Sequence, residues 1–568
     1  MKYSIRYIPT SRIVAALLAV HLLLAVGSMR RLSLTFDEPS YTAAGYQFIK
    51  TGDQQLIPLQ LHPPLSYYLN SLLLLPLDLD SVHVSGPDFY TSRPLIFESG
   101  YSPKLLIFLT RLPFVLVSVL LGFLIWRWGQ KVYGNPAGLL ALFFYALSPI
   151  VLANARLATP DIVLALTTAA ALYAFHECLR QPSTKRLCLS GAILGLALLS
   201  KFTALLLIPT FFLVALIYQW KRNEKTLNQL LHVFAQMAPL LGIAFIVVWA
   251  GYGFQFGVPF VPNWLQPRFE EITGKPFWQM VAFFRRNGIP IPAFSYILGM
   301  YTQLAAAKGW HNNFLFGHFS QSGWWYYYWL AFLIKNTIPF LLCLAAGLLV
   351  ARKGAARNDR ERLILYSVIP LVLFFSLPTK INIGVRYTLP LFPLFCIIAG
   401  RAALVLRGKW RYALALLCVW QIGSVAWIHP YYLAYFNEFV GGPSNGYKYL
   451  VDSNLDWGQN LERLADYLKE HHITDAKISY FGPDGMMKYY GLKNIDPEEY
   501  NPSPGVWAIS ATSLQGLYLE DPDSFQWLRR LQPKDTIGYS IFIYDVDETD
   551  LKLSATAPML EETSQARQ

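Results

Sequence analysis

Apolar runs recur along this chain from residue 13 to about residue 428, and they limit its fold more than any motif does. Stretches such as Ile13–Val26 and Ala238–Ala250 return at intervals. A helix that crosses a bilayer needs about 17–25 such residues. Only 14% of the 568 residues are charged, against about a quarter in an ordinary soluble protein. The expected fold is a polytopic α-helical membrane protein with a small C-terminal α/β domain.

About eleven spans fit the pattern. They lie near 12–28, 105–126, 136–155, 161–178, 188–200, 202–219, 232–252, 327–350, 362–378, 384–400 and 411–428. Charge gives the orientation. With a cytoplasmic N-terminus, the basic clusters Lys2/Arg6/Arg12, Arg127/Lys131, Arg180/Lys185/Arg186 and Lys221/Arg222/Lys225 all fall inside. So do Arg352/Lys353/Arg357/Arg360/Arg362 and Arg401/Arg407/Lys409/Arg411. This is the positive-inside pattern. It absorbs the net charge of +12 without any need for nucleic acid as a partner. The first run reads as an uncleaved span, since more spans follow and no clear small-residue cleavage site appears. The five cysteines lie in or beside apolar runs and have no zinc spacing.

The expected organisation is a transmembrane unit over 1–428, with outer loops at 29–104 and 253–326. An extracytoplasmic α/β domain follows over 429–550, then a disordered tail at 551–568. In the first loop, Tyr41–Lys50 and Leu65–Leu75 are too short to span and suit the interface. The second loop is aromatic, with Trp264, Phe277-Trp278 and Trp324-Trp325. In the tail, Asn460–Glu470 has helical periodicity. Ala476–Phe481, Val506–Ala511 and Thr536–Tyr544 read as strands. The expected location is multi-pass in the plasma (inner) membrane, with the C-terminal domain on the extracytoplasmic or periplasmic side.

Ionisable residues at membrane depth are costly, so each is a functional candidate. On the outer side these are Asp37, Glu38, His62, Arg111, Asp161, Lys201, Lys335, Lys380 and Arg386. They come from distant positions yet share one face. Asp37 and Glu38 are adjacent, so on a helix they diverge by about 100° and would not share a proton. One suits a general base and the other a positioning group. Alone, the pair reads more readily as a helix cap. Arg111 suits a phosphate clamp through its planar fork or a side chain snorkelling to the interface. Arg386-Tyr387 opens a span and supports the clamp, and Lys335 has the same two readings as Arg111. Asp161 follows Pro160 and suits either a cap or the site. Lys201 lies between two apolar runs. His62 precedes Pro63-Pro64, a rigid turn that holds an imidazole. A divalent cation bridged by Asp37 and Asp161 is chemically allowed, though no ligand spacing requires it. No Walker loop, GxGxxG in a Rossmann setting, HExxH or GxSxG is present.

The Asp37-Glu38 pair after the first span, His62-Pro63-Pro64-Leu65 in the same loop and Arg111 in the second span resemble the protein O-mannosyltransferase and aminoarabinose transferase group. These are GT-C class glycosyltransferases of family 39 and its relatives. Supporting stretches are Asn154–Asp161, Ser200-Lys201-Phe202-Thr203, Gly323–Lys335 and Gly384–Pro390, and the resemblance covers roughly 12–428. Tyr435–Gln459, including Asp452–Gln459, resembles the tail junction of bacterial members. The resemblance implies inverting transfer of a sugar from a polyprenyl-phosphate carrier to an acceptor hydroxyl on the outer face. It makes Asp37 the base, Glu38 an acceptor-orienting group and Arg111 a carrier-phosphate contact. The chain lacks a β-trefoil insertion in its outer loop, which places a protein Ser/Thr acceptor in doubt beside a lipid or glycan one. Two alternatives stay open: a transporter or flippase for a lipid-linked sugar, and a GT-C oligosaccharyltransferase or ligase.

Overall fold

A computed structural model describes residues 9–52, 62–79, 93–220, 225–259, 274–306, 312–350, 358–405 and 408–556. Trp264, Lys221, Arg222, Arg352, Lys353, Arg357, Arg407 and the end of the expected tail lie outside them. Among the described residues, seven helices are long and apolar enough to cross a membrane, or nine if each of two bent pairs is one span. The straight ones include α1 (Thr10–Met29), α4 (Pro103–Tyr133) and α7 (Pro160–Arg180). Two short helices, α2 (Pro39–Thr51) and α3 (Leu65–Ser71), stand between α1 and α4.

Eleven spans were expected, and the difference has two physical sources. Thr184–Leu198 and Asp359–Phe375 are helical but have 15 and 17 residues. At about 1.5 Å per residue these reach about 22–26 Å, short of a hydrocarbon core of about 30 Å. Proline accounts for the bends. Asn135–Ala146 and Pro149–Ala155 meet at 61°, where Ser148 before Pro149 is extended. Tyr327–Lys335 and Ile338–Val350 meet at a break of 117°. Pro339 lacks an N–H for the Lys335 carbonyl, so one helix cannot run through.

The helices approach closely where side chains are missing. A Cβ on Gly347 would sit 2.1 Å from the Ile398 carbonyl oxygen, so this crossing accepts no larger residue. Gly45 does the same for α2 against α3, where a Cβ would lie 2.3 Å from Tyr67 O. The two segments expected to lie in the interface therefore pack on each other, with Tyr41 and Tyr67 edge to face at 5.1 Å.

The carboxy-terminal region forms a mixed four-stranded sheet in the order β1-β2-β4-β3, where β1 is Lys477–Ser479, β2 Gly505–Ser510, β3 Asp535–Ile537 and β4 Ile541–Val546. β1 and β2 are parallel and the other pairings are antiparallel. The single strand expected over Thr536–Tyr544 is thus two strands. Gly538 and Tyr539 both take positive φ between them, a left-handed turn that glycine accepts without strain.

The connecting segment is stitched into the helix ends rather than hanging below them. The Asn437 side-chain amide donates to Leu333 O at 2.7 Å and Asn336 O at 2.9 Å. Ser33 N donates to Gln459 O at 3.1 Å and Phe36 N to Trp457 O at 3.0 Å. The strip Asp452–Asn460 therefore runs along the loop that carries Asp37 and Glu38.

Candidate active site

The adjacent acids part company. Glu38 stands at the N-cap position of α2 but its side chain, 1% exposed, bonds none of that helix's amides. Its carboxylate accepts five hydrogen bonds: from Thr35 N and Thr35 Oγ1, from Arg111 Nε and Nη2, and from Ala158 N. Arg111 is also fully buried, and its remaining bonds run to Leu32 O at 2.8 Å and Ser33 O at 2.7 Å. Burial alone would raise the Glu38 pKa. The Arg111 charge and the converging donors outweigh it and hold the carboxyl below its ordinary value. This corrects two expectations. Arg111 was expected at a carrier phosphate and Glu38 at the acceptor. Both are buried and bonded to the protein, and together they lock the turn that presents Asp37.

Asp37 points the other way. Its side chain is 30% exposed, and its partner comes from far along the chain. Arg386 Nη1 donates to Asp37 Oδ2 at 3.1 Å and to Asp161 Oδ2 at 3.4 Å. Lys201 Nζ donates to Asp161 Oδ1 at 2.8 Å. Asp161, in the first turn of α7, thus holds two cations side by side. Lys201 stands 4.4 Å from the centroid of the Tyr387 ring, and the Arg386 guanidinium lies 4.0 Å from that of Trp457. Both are cation–π distances.

His62 joins this group from the α3 end. Leu65 N donates to Leu199 O at 3.1 Å, which ties the proline turn to the segment carrying Lys201. The His62 ring stacks on Tyr41 with centroids 6.0 Å apart. Burial first, and then the Lys201 charge, push its pKa well below the ordinary value, so the ring is neutral near pH 7. Its Nδ1 is buried with no hydrogen-bond partner, and so is Arg386 Nε. A cavity of about 380 Å³ opens here. His62, Lys201 and Tyr387 are among its polar lining residues, and Phe202, Leu206, Met300, Phe374 and Leu377 are among the more numerous apolar ones.

Lys335 is not in this group. It was expected to reach outward to a phosphate, but it is 2% exposed and donates to Leu433 O at 2.8 Å and Asn454 O at 2.6 Å. The bend after Tyr327–Lys335 turns it toward the connecting strip, where buried carbonyls satisfy it. Its effect on the site is indirect: Asn454 Oδ1 accepts from Val385 N at 2.8 Å, next to Arg386.

The Asp37–Asp161 pair does not fit a divalent cation as arranged. Arg386 already bridges the two carboxylates and Lys201 takes the second oxygen of Asp161. Among the described residues no group of three or more His, Cys, Asp or Glu is placed to hold a metal ion.

Sequence reasoning noted the stretch that holds Trp457, Asn454 and Asp452 but gave none of the three a role in the site. Asp452 takes a left-handed φ of 56°, accepts from the Tyr518 hydroxyl, and its carboxyl is pushed up chiefly by burial. Nearby Asp456 is raised to about 7, again chiefly by burial. The signal available was the density of polar residues in Asp452–Gln459, too many for a strand interior and too few apolar for a helix.

No curated protein matches the chain. Among solved structures, the protein O-mannosyltransferase complex of S. cerevisiae bound to the sugar donor is 21% identical, with a TM-score of 0.32, over 44% of this chain and 34% of that one. This chain therefore spans about a third of the length of that yeast chain. ArnT from Cupriavidus metallidurans, bound to undecaprenyl phosphate, is 14% identical with a TM-score of 0.44, over 94% and 98%. The Archaeoglobus fulgidus oligosaccharyltransferase in its apo form is 15% identical with a TM-score of 0.45, over 89% and 63%. The sequence profile of one family, described as dolichyl-phosphate-mannose-protein mannosyltransferase, matches residues 106–249. That stretch carries Arg111, Asp161 and Lys201 but neither Asp37 nor Arg386. There the chain is similar to the dolichyl-phosphate-mannose-protein mannosyltransferases, and the resemblance read from its residues is borne out.

Proposed function

We propose that this protein is an inverting glycosyltransferase that moves a sugar from a polyprenyl-phosphate carrier to an acceptor hydroxyl on the outer face of the membrane. One observation carries the reading. Asp161 pairs with both Lys201, which lines a largely apolar cavity, and Arg386, which pairs in turn with half-buried Asp37. The apolar lining suits an isoprenoid chain. The paired cations suit its phosphate, and His62 Nδ1, on a residue of the cavity lining, and Arg386 Nε, on the residue before the lining Tyr387, are further polar atoms without partners. The family whose profile matches is named for a donor of this kind.

In this mechanism the acceptor oxygen attacks the anomeric carbon as the bond from that carbon to the phosphate oxygen breaks. The hydroxyl proton passes to Asp37. The polyprenyl phosphate leaves with the bonding electron pair, and Arg386 and Lys201 stabilise the charge it gains. A single displacement needs one base and inverts the configuration. Neutral His62 orients a phosphate oxygen or the turn itself. Glu38 and Arg111 act through the backbone that presents Asp37. In the same reading residues 1–428 form the membrane unit of a plasma-membrane protein with a cytoplasmic N-terminus, and the region 429–550 faces outward.

The test is purified protein in lipid nanodiscs, supplied with a polyprenyl-phosphate hexose and a mixed pool of outer-surface glycolipids, with released polyprenyl phosphate measured. Acceptor-dependent release that Asp37→Asn abolishes is expected. Near-normal release by Asp37→Asn sinks the assignment of the base.

A further inference from the structure

Phe36 directly precedes Asp37 and is itself 52% exposed. Its backbone is pinned by the bond from its N–H to Trp457 O, so the ring is presented and not merely loose. Phe36 stacks on Phe481, with centroids 5.3 Å apart and planes 10° apart. Phe481 stacks in turn on Tyr518 at 5.2 Å and 21°. Tyr518 is 42% exposed, and its hydroxyl donates to buried Asp452. Phe481 follows the end of β1, and Tyr518 follows the end of β2 by one short helix, Ala511–Leu514. β1 and β2 are the parallel pair of the sheet. The carboxyl ends of parallel strands are where open α/β sheets bind ligands.

We infer that Phe36 and Tyr518, the exposed end rings of this stack, form a platform for a neutral saccharide, with Phe481 as the ring between them, so that the acceptor presented to Asp37 is a sugar hydroxyl of a glycan. This rests on the transferase reading above and names its acceptor class. The negative face of an aromatic ring attracts the polarised C–H bonds on one side of a pyranose. Such a ring carries hydroxyls on its rim, and Asp37, next in the chain to Phe36, is placed to accept one. Asp37 is half-buried and already paired with Arg386, so a neutral hydroxyl, which brings no charge to be compensated, suits it. A lipid chain has an apolar cavity of its own, lined by Phe202, Leu206 and Phe374, and gains nothing from rings flanked by acids. The step is the displacement already described, with the sugar hydroxyl supplying the oxygen and the proton.

Saturation-transfer NMR on the full chain in nanodiscs tests this without donor or turnover. The probes are three neutral trisaccharides: maltotriose, cellotriose and chitotriose. At least one is expected to show transfer from the protein to its axial ring protons. Phe36→Leu should weaken its binding about three- to tenfold, the range of one aromatic contact, and Phe36→Trp should keep it. Tyr518→Leu, remote from the Asp37 backbone, should weaken it as well. Absence of transfer to all three probes, or equal binding by Phe36→Leu and the parent chain, overturns the platform. A protein that releases polyprenyl phosphate yet binds none of the probes overturns this inference alone. One that binds them through Phe36 but releases none leaves it standing and breaks the transfer reading.

Discussion

Two arginine–carboxylate pairs lie within one short loop's reach, and they differ in almost every respect. Glu38 and Arg111 are 1% and 0% exposed, and Glu38 is saturated by donors. Asp37 and Arg386 are 30% and 6% exposed, with Arg386 shared between two acids and one of its nitrogens unpartnered. The first pair is closed: its attraction is spent on holding the chain's own backbone. The second is open: it has donors and an acceptor to spare for something else. Adjacent acids in a sequence can thus belong to opposite halves of a design, one supplying rigidity and the other reactivity.

The largest expected effect is on the open side. Asp37→Asn should lower sugar transfer by about 10²- to 10⁴-fold, the usual contribution of a general base, with thermal unfolding of the purified protein unchanged. A large fall in melting temperature would erase the distinction between the pairs. On the closed side the expectation reverses. Arg111→Met should destabilise by about 3–5 kcal/mol, because a buried carboxylate is left without its counter-ion. Adding Glu38→Met should recover part of that loss, read by thermal unfolding in detergent. Loss of activity at full stability would instead return Arg111 to the substrate.

A smaller effect separates shape from charge. Arg386→Lys keeps the cation but cannot hold two carboxylates and stack on Trp457 at once. Transfer should fall about tenfold to a hundredfold, mainly in kcat. A change confined to KM would place Arg386 in ground-state binding alone.

The smallest effect concerns pH. Asp456 has its pKa raised to about 7 in the folded protein, so the folded state holds a proton that the unfolded chain has lost. Its contribution to stability is full below the ordinary carboxylate range, falls as pH rises toward 7 and levels off above. The slope is on the order of 1 kcal/mol per pH unit. His62, lowered by burial and by Lys201, works in the opposite sense below its ordinary value, so the clean readout is a difference. Between pH 5 and 7 the stability of Asp456→Asn relative to the parent should rise with pH, because only the parent loses the Asp456 contribution. Identical profiles would mean that Asp456 ionises normally.

Much of the open cluster was legible in the sequence. Asp37, His62, Asp161, Lys201, Arg386 and Tyr387 were singled out because ionisable and polar groups at one depth of an apolar chain need each other. The structure brings these six together. The closed pair was misread for the same reason. Periodicity places Arg111 on a helix but cannot say whether the helix faces a ligand or a loop, and that depends on the turn Thr35–Glu38 folding back. Lys335 was misplaced because a break of 117° cannot be read from hydropathy, although Pro339 was there to suggest it. Trp457 was given no role because its partner, Arg386, is 71 residues earlier in the chain.

The strip at Asp452–Asn460 carries one more consequence. It is bonded to the Asp37 loop through Ser33 and Phe36, to the helix ends through Lys335, and to the sheet region through Thr512 and Ser540. It is at once a wall beside Asp37 and Arg386 and the mount of the four-stranded sheet. The sheet therefore cannot tilt without moving Trp457 against Arg386, and with it the field felt by Asp37. Whatever grips the sheet has a mechanical line to Asp37.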